Sequence, residues 1–344
     1  MQAGYHKYIL NFKRPSGTSR GVLTQKETWF LILKQNGNTG IGECGILRSL
    51  SYDDRPGYEE KLKWVCENIG MGKEKLWEEL REFPSIQFGV EMAFRSLGAQ
   101  DPFLLFPSEF TSGNASMAIN GLVWMGEEQF MKEQIVQKIE EGFRCIKLKI
   151  GAIDFETEIK LLGFIRREFT SEEMEVRVDA NGAFKPSEAL EKLKRLSELE
   201  LHSIEQPIKQ GQPEEMAVLC EKTPLPIALD EELIGVTTFS EKKALLEKIQ
   251  PQYVIFKPSL IGGIKGTNEW IELSGDLNIG WWITSALESN VGLNTIAQYT
   301  YRLNNPMPQG LGTGALYTNN FEAPLEVEHG KLWYRPNKSW NFNL

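Results

Sequence analysis

VRVDANG, residues 176–182, is a short apolar strand that stops on an acid, Asp179, followed at once by Asn-Gly. The same design recurs on both sides of it. CIKLKIG at 145–151 ends on Lys149, SIEQP at 203–207 carries Glu205, IALDEEL at 227–233 carries Asp230 and VIFKPS at 254–259 carries Lys257. The intervals from Lys149 onward are 30, 26, 25 and 27 residues. Each is about the length of a strand, a helix and two short loops, and a charged residue at the end of each apolar strand describes the rim of a β/α barrel.

Outward from this centre, paired elements fill the second half of the chain. SMAINGLVW opens the series with a helix over 127–141, and later pairs place strands before helices at 154–168, 186–199, 213–222, 238–248, 264–274 and 289–301. MPQGLGTG closes it. Eight strands with seven good helices predict an α/β fold, a modified TIM barrel of (β/α)7β type. Residues 1–114 lack the rhythm. Strands are expected at 5–12 and 22–34, a hairpin at QNGNTG (35–40), and helices at 58–68, 73–83 and 86–97, where Gly89 and Ala93 suit close packing. This reads as an α+β capping domain over 1–114, a barrel over 115–320 and a C-terminal segment, 321–344, that returns to the cap.

Composition narrows the function. The 344 residues are 41% hydrophobic and 25% charged, as in a globular protein. The longest apolar runs, such as FLLF at 103–106, cannot cross a membrane. MQAGYHKYIL shows no export signal, so a cytoplasmic location is expected. Cys44, Cys66, Cys145 and Cys220 have no CxxC spacing and read as reduced thiols. A net charge of -9 argues against nucleic acid as a partner. Three histidines in the whole chain make a zinc site improbable, so a metal here would take oxygen ligands. GGIKGT at 262–267 lacks the P-loop spacing and reads as a βα turn.

Asp179, Glu205 and Asp230, on three successive units, would repel one another strongly in a barrel mouth. A divalent cation resolves the conflict, Mg2+ first and Mn2+ second. Each acid taken alone reads more readily as a helix cap or a solvated loop residue. Lys147 and Lys149 share one face of their strand, with Ile146, Leu148 and Ile150 toward the helices. Two such lysines disfavour each other's protonation, so a lowered pKa and a general-base role are expected. Lys257 approaches from the far side of the mouth. A small-molecule carboxylate held between opposed lysines is the substrate class that follows.

These five motifs together resemble the enolase superfamily, in the branch with KxK on the second barrel strand and a lone lysine on the sixth. A lysine or histidine base with a Mg2+-stabilised enediolate is that superfamily's established chemistry. The resemblance implies metal ligation by Asp179, Glu205 and Asp230, acid–base work by Lys149 with Lys147 as its partner, and Lys257 on the opposite face. The branch includes o-succinylbenzoate synthases, dipeptide epimerases, N-acylamino acid racemases and muconate cycloisomerases. SALESNVGL at 285–293 is similar to the seventh-strand segment of the synthases, which implies Ser285, Glu288 and Ser289 at the substrate, with Asn181 a further contact. The epimerases carry an acidic motif on the eighth strand for the substrate ammonium, whereas GLGTGALYTNNF (310–321) has no acid before Glu322. The resemblance therefore favours a lyase of menaquinone biosynthesis, with a racemase or epimerase as the alternative. A barrel that only bound a carboxylate would be expected to have lost part of the lysine and acid set, and none is lost. GIGECGILRSLSYD (40–53) is similar to the superfamily's capping loop. Oligomeric state stays open.

Overall fold

An antiparallel sheet, β1 (Gln2–Thr18), β2 (Gly21–Gln35) and β3 (Asn38–Gly45), begins the chain in the order β1-β2-β3. The computed structural model describes residues 1–18 and 21–344. The turn joining β2 to β3 holds Asn36 and Gly37 at φ 50° and 84°, the left-handed pair that an Asn-Gly hairpin turn requires. Helices α1 (Tyr58–Glu67), α2 (Lys73–Glu79) and α3 (Pro84–Leu97) complete the cap. α3 lies directly on β3. A Cβ on Gly42 would stand 1.9 Å from the Gly89 carbonyl oxygen, and one on Gly89 would stand 2.1 Å from Cys44 Sγ. Glycine at both positions is what allows the contact.

Asp53 anchors the start of α3: its Oδ2 accepts from the backbone N and the Oγ of Ser85, at 2.9 and 2.6 Å. Its Oδ1 is buried without a donor. Burial pushes this carboxyl up to about 6, against the opposing pull of Ser85. A carboxyl raised in the folded state stabilises the fold below its unfolded value and loses that contribution as pH rises through the folded value. The window runs from about pH 4 to about 6. Asp53→Asn keeps an acceptor for Ser85 and carries no charge. Urea unfolding at pH 7.5 should find it more stable than wild type by about 1–3 kcal/mol, and at pH 4 the difference should close. Equal stabilities at both pH values would refute the burial argument.

β4 (Ser116–Ala118) leads to β5 (Gly121–Val123), and from there strand and helix alternate. The series runs α4 (Glu128–Glu140), β6 (Cys145–Lys149), α5 (Phe155–Glu168), β7 (Glu175–Asp179), α6 (Pro186–Ser197), β8 (Ser203–Glu205) and α7 (Pro213–Lys222). It continues through β9 (Ile227–Leu229), α8 (Phe239–Ile249), β10 (Tyr253–Phe256), α9 (Gly263–Asp276), β11 (Gly280–Ile283) and α10 (Asn290–Arg302). The seven strands β5 to β11 pair in parallel, in chain order. The eighth member is reduced to bridges: Gln309 pairs with Ile119 and Gly310 with Thr284, which joins the two edges and closes the barrel.

SMAINGLVW is two strands rather than one. Ile119 N donates to Gly330 O and Asn120 N to Gln309 O, so the backbone changes partners in its middle. β4 pairs with the tail strand β13 (Lys331–Tyr334), which also pairs with β12 (Leu325–Glu328), and only β5 enters the barrel. The tail also packs on the cap, with Phe321 and Phe342 each 5.3 Å from the Phe30 ring, and Trp340 stacks 4.1 Å from Phe103.

Two cap carboxylates tie the halves together. Glu91 on α3 accepts from the backbone N of Ile264 and Lys265, at 2.5 and 3.0 Å, at the start of α9. Glu43 on β3 accepts from Ser289 N and Oγ and from Gly292 N, at 2.9, 2.5 and 2.8 Å, at the start of α10. Unpaired N–H groups at a helix N-terminus favour a negative charge, so each acid completes a barrel helix. The four cysteines are free thiols. Among the described residues no helix is long and apolar enough to cross a membrane.

Candidate active site

Strand register assembles the site. Lys149 is the cross-strand partner of Asp179, and Asp179 of Glu205, so three charged residues lie side by side at the strand ends. Asp230 follows the next strand and Lys257 the one after. Lys147 Nζ stands 3.1 Å from Asp179 Oδ2 and 2.5 Å from Glu205 Oε2. Lys149 Nζ stands 2.5 Å from the same Asp179 oxygen and donates to Asn181 Oδ1 at 2.9 Å. Lys257 pairs with Asp230 and lies 3.9 Å from Glu205 Oε1. Three carboxylates are thus matched by three ammonium groups.

This matching corrects one expectation. Burial opposes the charge of Lys147, but Glu205 and Asp179 outweigh it, and the ammonium is held well above its usual value rather than below. Lys257 is raised in the same way, burial being overcome by Asp230 and Glu205. Burial works against the charged form of Asp179, and Lys149 and Lys147 reverse that, leaving the carboxyl far below the ordinary range. Glu205 goes the other way: burial and then the adjoining Asp179 raise it, with Lys147 opposing. Sequence reasoning weighed the two lysines against each other and left out the acids that face them.

Because the ammonium groups sit on the acids, no three ligand side chains close around a common point among the described residues. The donor set nonetheless suits a hard divalent cation. It is all carboxylate, and Glu205 Oε1 is buried with no hydrogen-bond donor. Asp179, Glu205 and Asp230 are the residues that would hold the ion.

Above the lysines lies a cavity of about 420 Å³ between barrel and cap. Six cationic residues line it, Lys13, Arg14, Lys138, Lys147, Lys149 and Lys257, and no acidic residue does among those described. Lys138 is paired with Glu141 at 2.5 Å. Leu23, Leu47, Leu50, Trp124, Phe130 and Leu287 give it apolar walls. Leu47 and Leu50 belong to the expected capping loop. Lys13, Arg14, Ser16 and Leu23 come from the β1–β2 hairpin, which sequence reasoning did not place at the site. It is pinned across the mouth, where Lys13 N donates to Leu316 O at 2.8 Å, Thr318 N to Asn11 O at 2.9 Å, and the Phe12 and Tyr317 rings lie 4.7 Å apart.

Of the expected substrate contacts, Asn181 and Ser285 line the cavity, Ser285 being bonded to Thr313 at 2.6 Å between hydroxyl oxygens. Glu288 and Ser289 do not line it. Ser289 begins α10 and turns its hydroxyl to Glu43, and Glu288 accepts from Ser259 Oγ at 2.5 Å in the buried layer between barrel and cap. The seventh-strand segment bends into its helix after Leu287 (φ 59°), which carries both side chains away from the mouth. Two further groups escaped the sequence reading. Glu231 accepts from Asn181 Nδ2 at 3.0 Å, and Gln206 Oε1 accepts from Asp230 N and Glu232 N at 3.2 and 3.3 Å. Gln-Pro in SIEQP and the second acid in LDEEL were their only traces.

Residues 131–337 match the family described as "Enolase C-terminal domain-like". The chain belongs to that family. It is 47% identical to an o-succinylbenzoate synthase of Desulfotalea psychrophila, with 96% of this chain and 98% of that protein covered. It is 30% identical to an N-succinylamino acid racemase of Thermus thermophilus, over 80% of this chain and 75% of the racemase. Among solved structures, the crystal structure of MenC from Desulfotalea psychrophila superposes with a TM-score of 0.86 at 43% identity, covering 97% of this chain and 99% of that one. The enolase-superfamily fold expected from the strand-end motifs is the fold found, a parallel barrel with an antiparallel cap.

Proposed function

We propose that the protein is an o-succinylbenzoate synthase, a lyase that dehydrates 2-succinyl-6-hydroxy-2,4-cyclohexadiene-1-carboxylate to 2-succinylbenzoate. The observation that carries the reading is the cavity's lining: six cations and, among the described residues, no acid, with apolar walls between. Such a pocket suits a ring with one carboxylate of its own and a second on a side arm, and lacks an acid for an α-ammonium group. The 47% identity to a synthase over nearly the whole chain supports it.

Lys149 takes the proton from the ring carbon that carries the carboxylate. Lys257, on the other side of the mouth, places positive charge against the ring face. Lys149 then gives that proton to the departing hydroxyl, water leaves, and the ring becomes aromatic. Lys147, bonded to two of the acids, keeps Asp179 and Glu205 in line. Asp179, Glu205 and Asp230 would hold a divalent cation, Mg2+ first, which supplies charge to offset that developing on the substrate carboxylate. Asn181 holds Lys149 through Oδ1 and is itself held by Glu231, so it orients the base as well as facing the cavity.

The second carboxylate, on the succinyl arm, needs its own counter-charge. Lys13 and Arg14 lie at the mouth and are the lining cations without a carboxylate partner among the described residues. Lys13→Gln with Arg14→Gln should raise KM about 10–100-fold and leave kcat within about threefold, since the contact is the same in ground and transition states. Unchanged KM in steady-state assays would remove the hairpin from substrate binding.

The 30% identity to an N-succinylamino acid racemase favours one alternative, in which Lys149 and Lys257 each exchange the α-proton on its own face. The discriminating experiment follows ultraviolet loss of the cyclohexadiene and, separately, deuterium entry from solvent into an N-succinyl amino acid. Rapid dehydration establishes the synthase. Exchange without dehydration establishes the racemase instead.

A further inference from the structure

Behind the cavity wall, three charged side chains lie buried where the cap meets the barrel: Lys26 on β2, Glu43 on β3 and Glu288 before α10. Glu43 is fully engaged, by Thr28 Oγ1 at 3.0 Å and by Ser289 and Gly292. The other two are not. Lys26 Nζ is a buried donor with no acceptor, and Glu288 Oε2 a buried acceptor with no donor. Lys26 is 3% exposed and Glu288 1%. An isolated ammonium in such a place is destabilising unless a negative charge faces it. Burial pushes the Glu288 carboxyl up, and the Lys26 charge and then the Ser259 hydroxyl pull against it. Gly45 leaves Lys26 room, because a Cβ there would stand 2.7 Å from Nζ.

The other oxygen of Glu288 leads to the chemistry. Oε1 accepts from Ser259 Oγ at 2.5 Å. Ser259 lies in the turn Pro258–Leu260, whose closing bond runs from Leu260 N to Lys257 O at 2.8 Å. A chain of direct contacts therefore runs from Glu288 through Ser259 to the backbone of Lys257. Lys26 belongs to the cap, while Glu288, Ser259 and Lys257 belong to the barrel.

We propose that Glu288 is a positioning residue for Lys257, and that the buried Lys26 of the cap supplies the counter-charge that holds Glu288 against Ser259. Lys257 is then in place only with the cap docked. The inference rests on the reading that Lys257 faces the substrate. Displacing a reacting group by about 1 Å costs on the order of 100-fold in rate, so small shifts of this turn are enough to matter.

The test compares Lys26→Met, Glu288→Gln, the double variant and Ser259→Ala, all assayed at saturating Mg2+. Lys26→Met should lower kcat for the cyclohexadiene about 10–100-fold with KM within about threefold. In the double variant, Gln still accepts from Ser259 and no longer needs a counter-charge, so kcat should return to within about fivefold of wild type. Ser259→Ala should show the loss with Lys26 intact. Amide hydrogen exchange over residues 254–264 gives a readout without turnover: faster in Lys26→Met and Ser259→Ala, restored in the double variant. A Lys26→Met enzyme with wild-type kcat and exchange, or a double variant no better than Lys26→Met, overturns the proposal. Should wild type fail to dehydrate the substrate, the synthase reading falls, and the exchange comparison alone decides the positioning.

Discussion

Lys149→Ala should leave a folded protein that still binds a divalent cation and turns the cyclohexadiene over about 10³–10⁴-fold more slowly. The size follows from what the residue is asked to do. It is the proposed carrier of the proton in both directions, from the ring carbon to the leaving hydroxyl, and no other described basic group replaces it. Lys147 is deeper, locked between Asp179 and Glu205. Lys257 stands across the mouth, on Asp230. Asp179 keeps Lys147 as a partner when Lys149 is lost, so the fold should survive. Thermal unfolding and Mn2+ binding, followed by electron paramagnetic resonance, separate loss of chemistry from loss of structure. Residual activity above about a tenth of wild type would move the base elsewhere.

Chelation should have an effect of at least similar size. With EDTA present, turnover should fall at least about 10³-fold and return on adding excess Mg2+ or Mn2+. Glu205→Gln should weaken Mn2+ binding in the absence of substrate. The reasoning is electrostatic: without a cation, the three acids are compensated by the very lysines that the reaction needs. Full activity in EDTA would contradict the ligand assignment, and unaltered Mn2+ affinity in Glu205→Gln would remove Glu205 from it.

Much of this was legible in the chain because strand ends in a parallel barrel are adjacent in space as well as regular in sequence. Spacing alone put Lys149, Asp179, Glu205, Asp230 and Lys257 at one mouth, and the register confirms their adjacency for the first three. What spacing could not supply was direction at the ends of elements. Glu288 and Ser289 follow a left-handed residue, Leu287, and the turn there decides which side of the wall they face. Nor could local pattern show that the first hairpin reaches the mouth, since Asn11 and Lys13 bond to Thr318 and Leu316, some 300 residues along the chain. The eighth strand was overread for a related reason. MPQGLGTG occupies a strand's position, yet it pairs only through Gln309 and Gly310.

The two cap carboxylates that finish barrel helices carry a lesson for anyone who would rebuild this protein. Because α9 and α10 borrow Glu91 and Glu43 for their first turns, the barrel is not a free-standing module onto which caps can be exchanged at will. A chimaera that brings in a foreign cap must bring acids at both places, or it will leave two helix beginnings without their acceptors. Between the two anchors runs the segment with Leu47 and Leu50, which lines the pocket. Redesign of specificity can be attempted there with both anchors left in place.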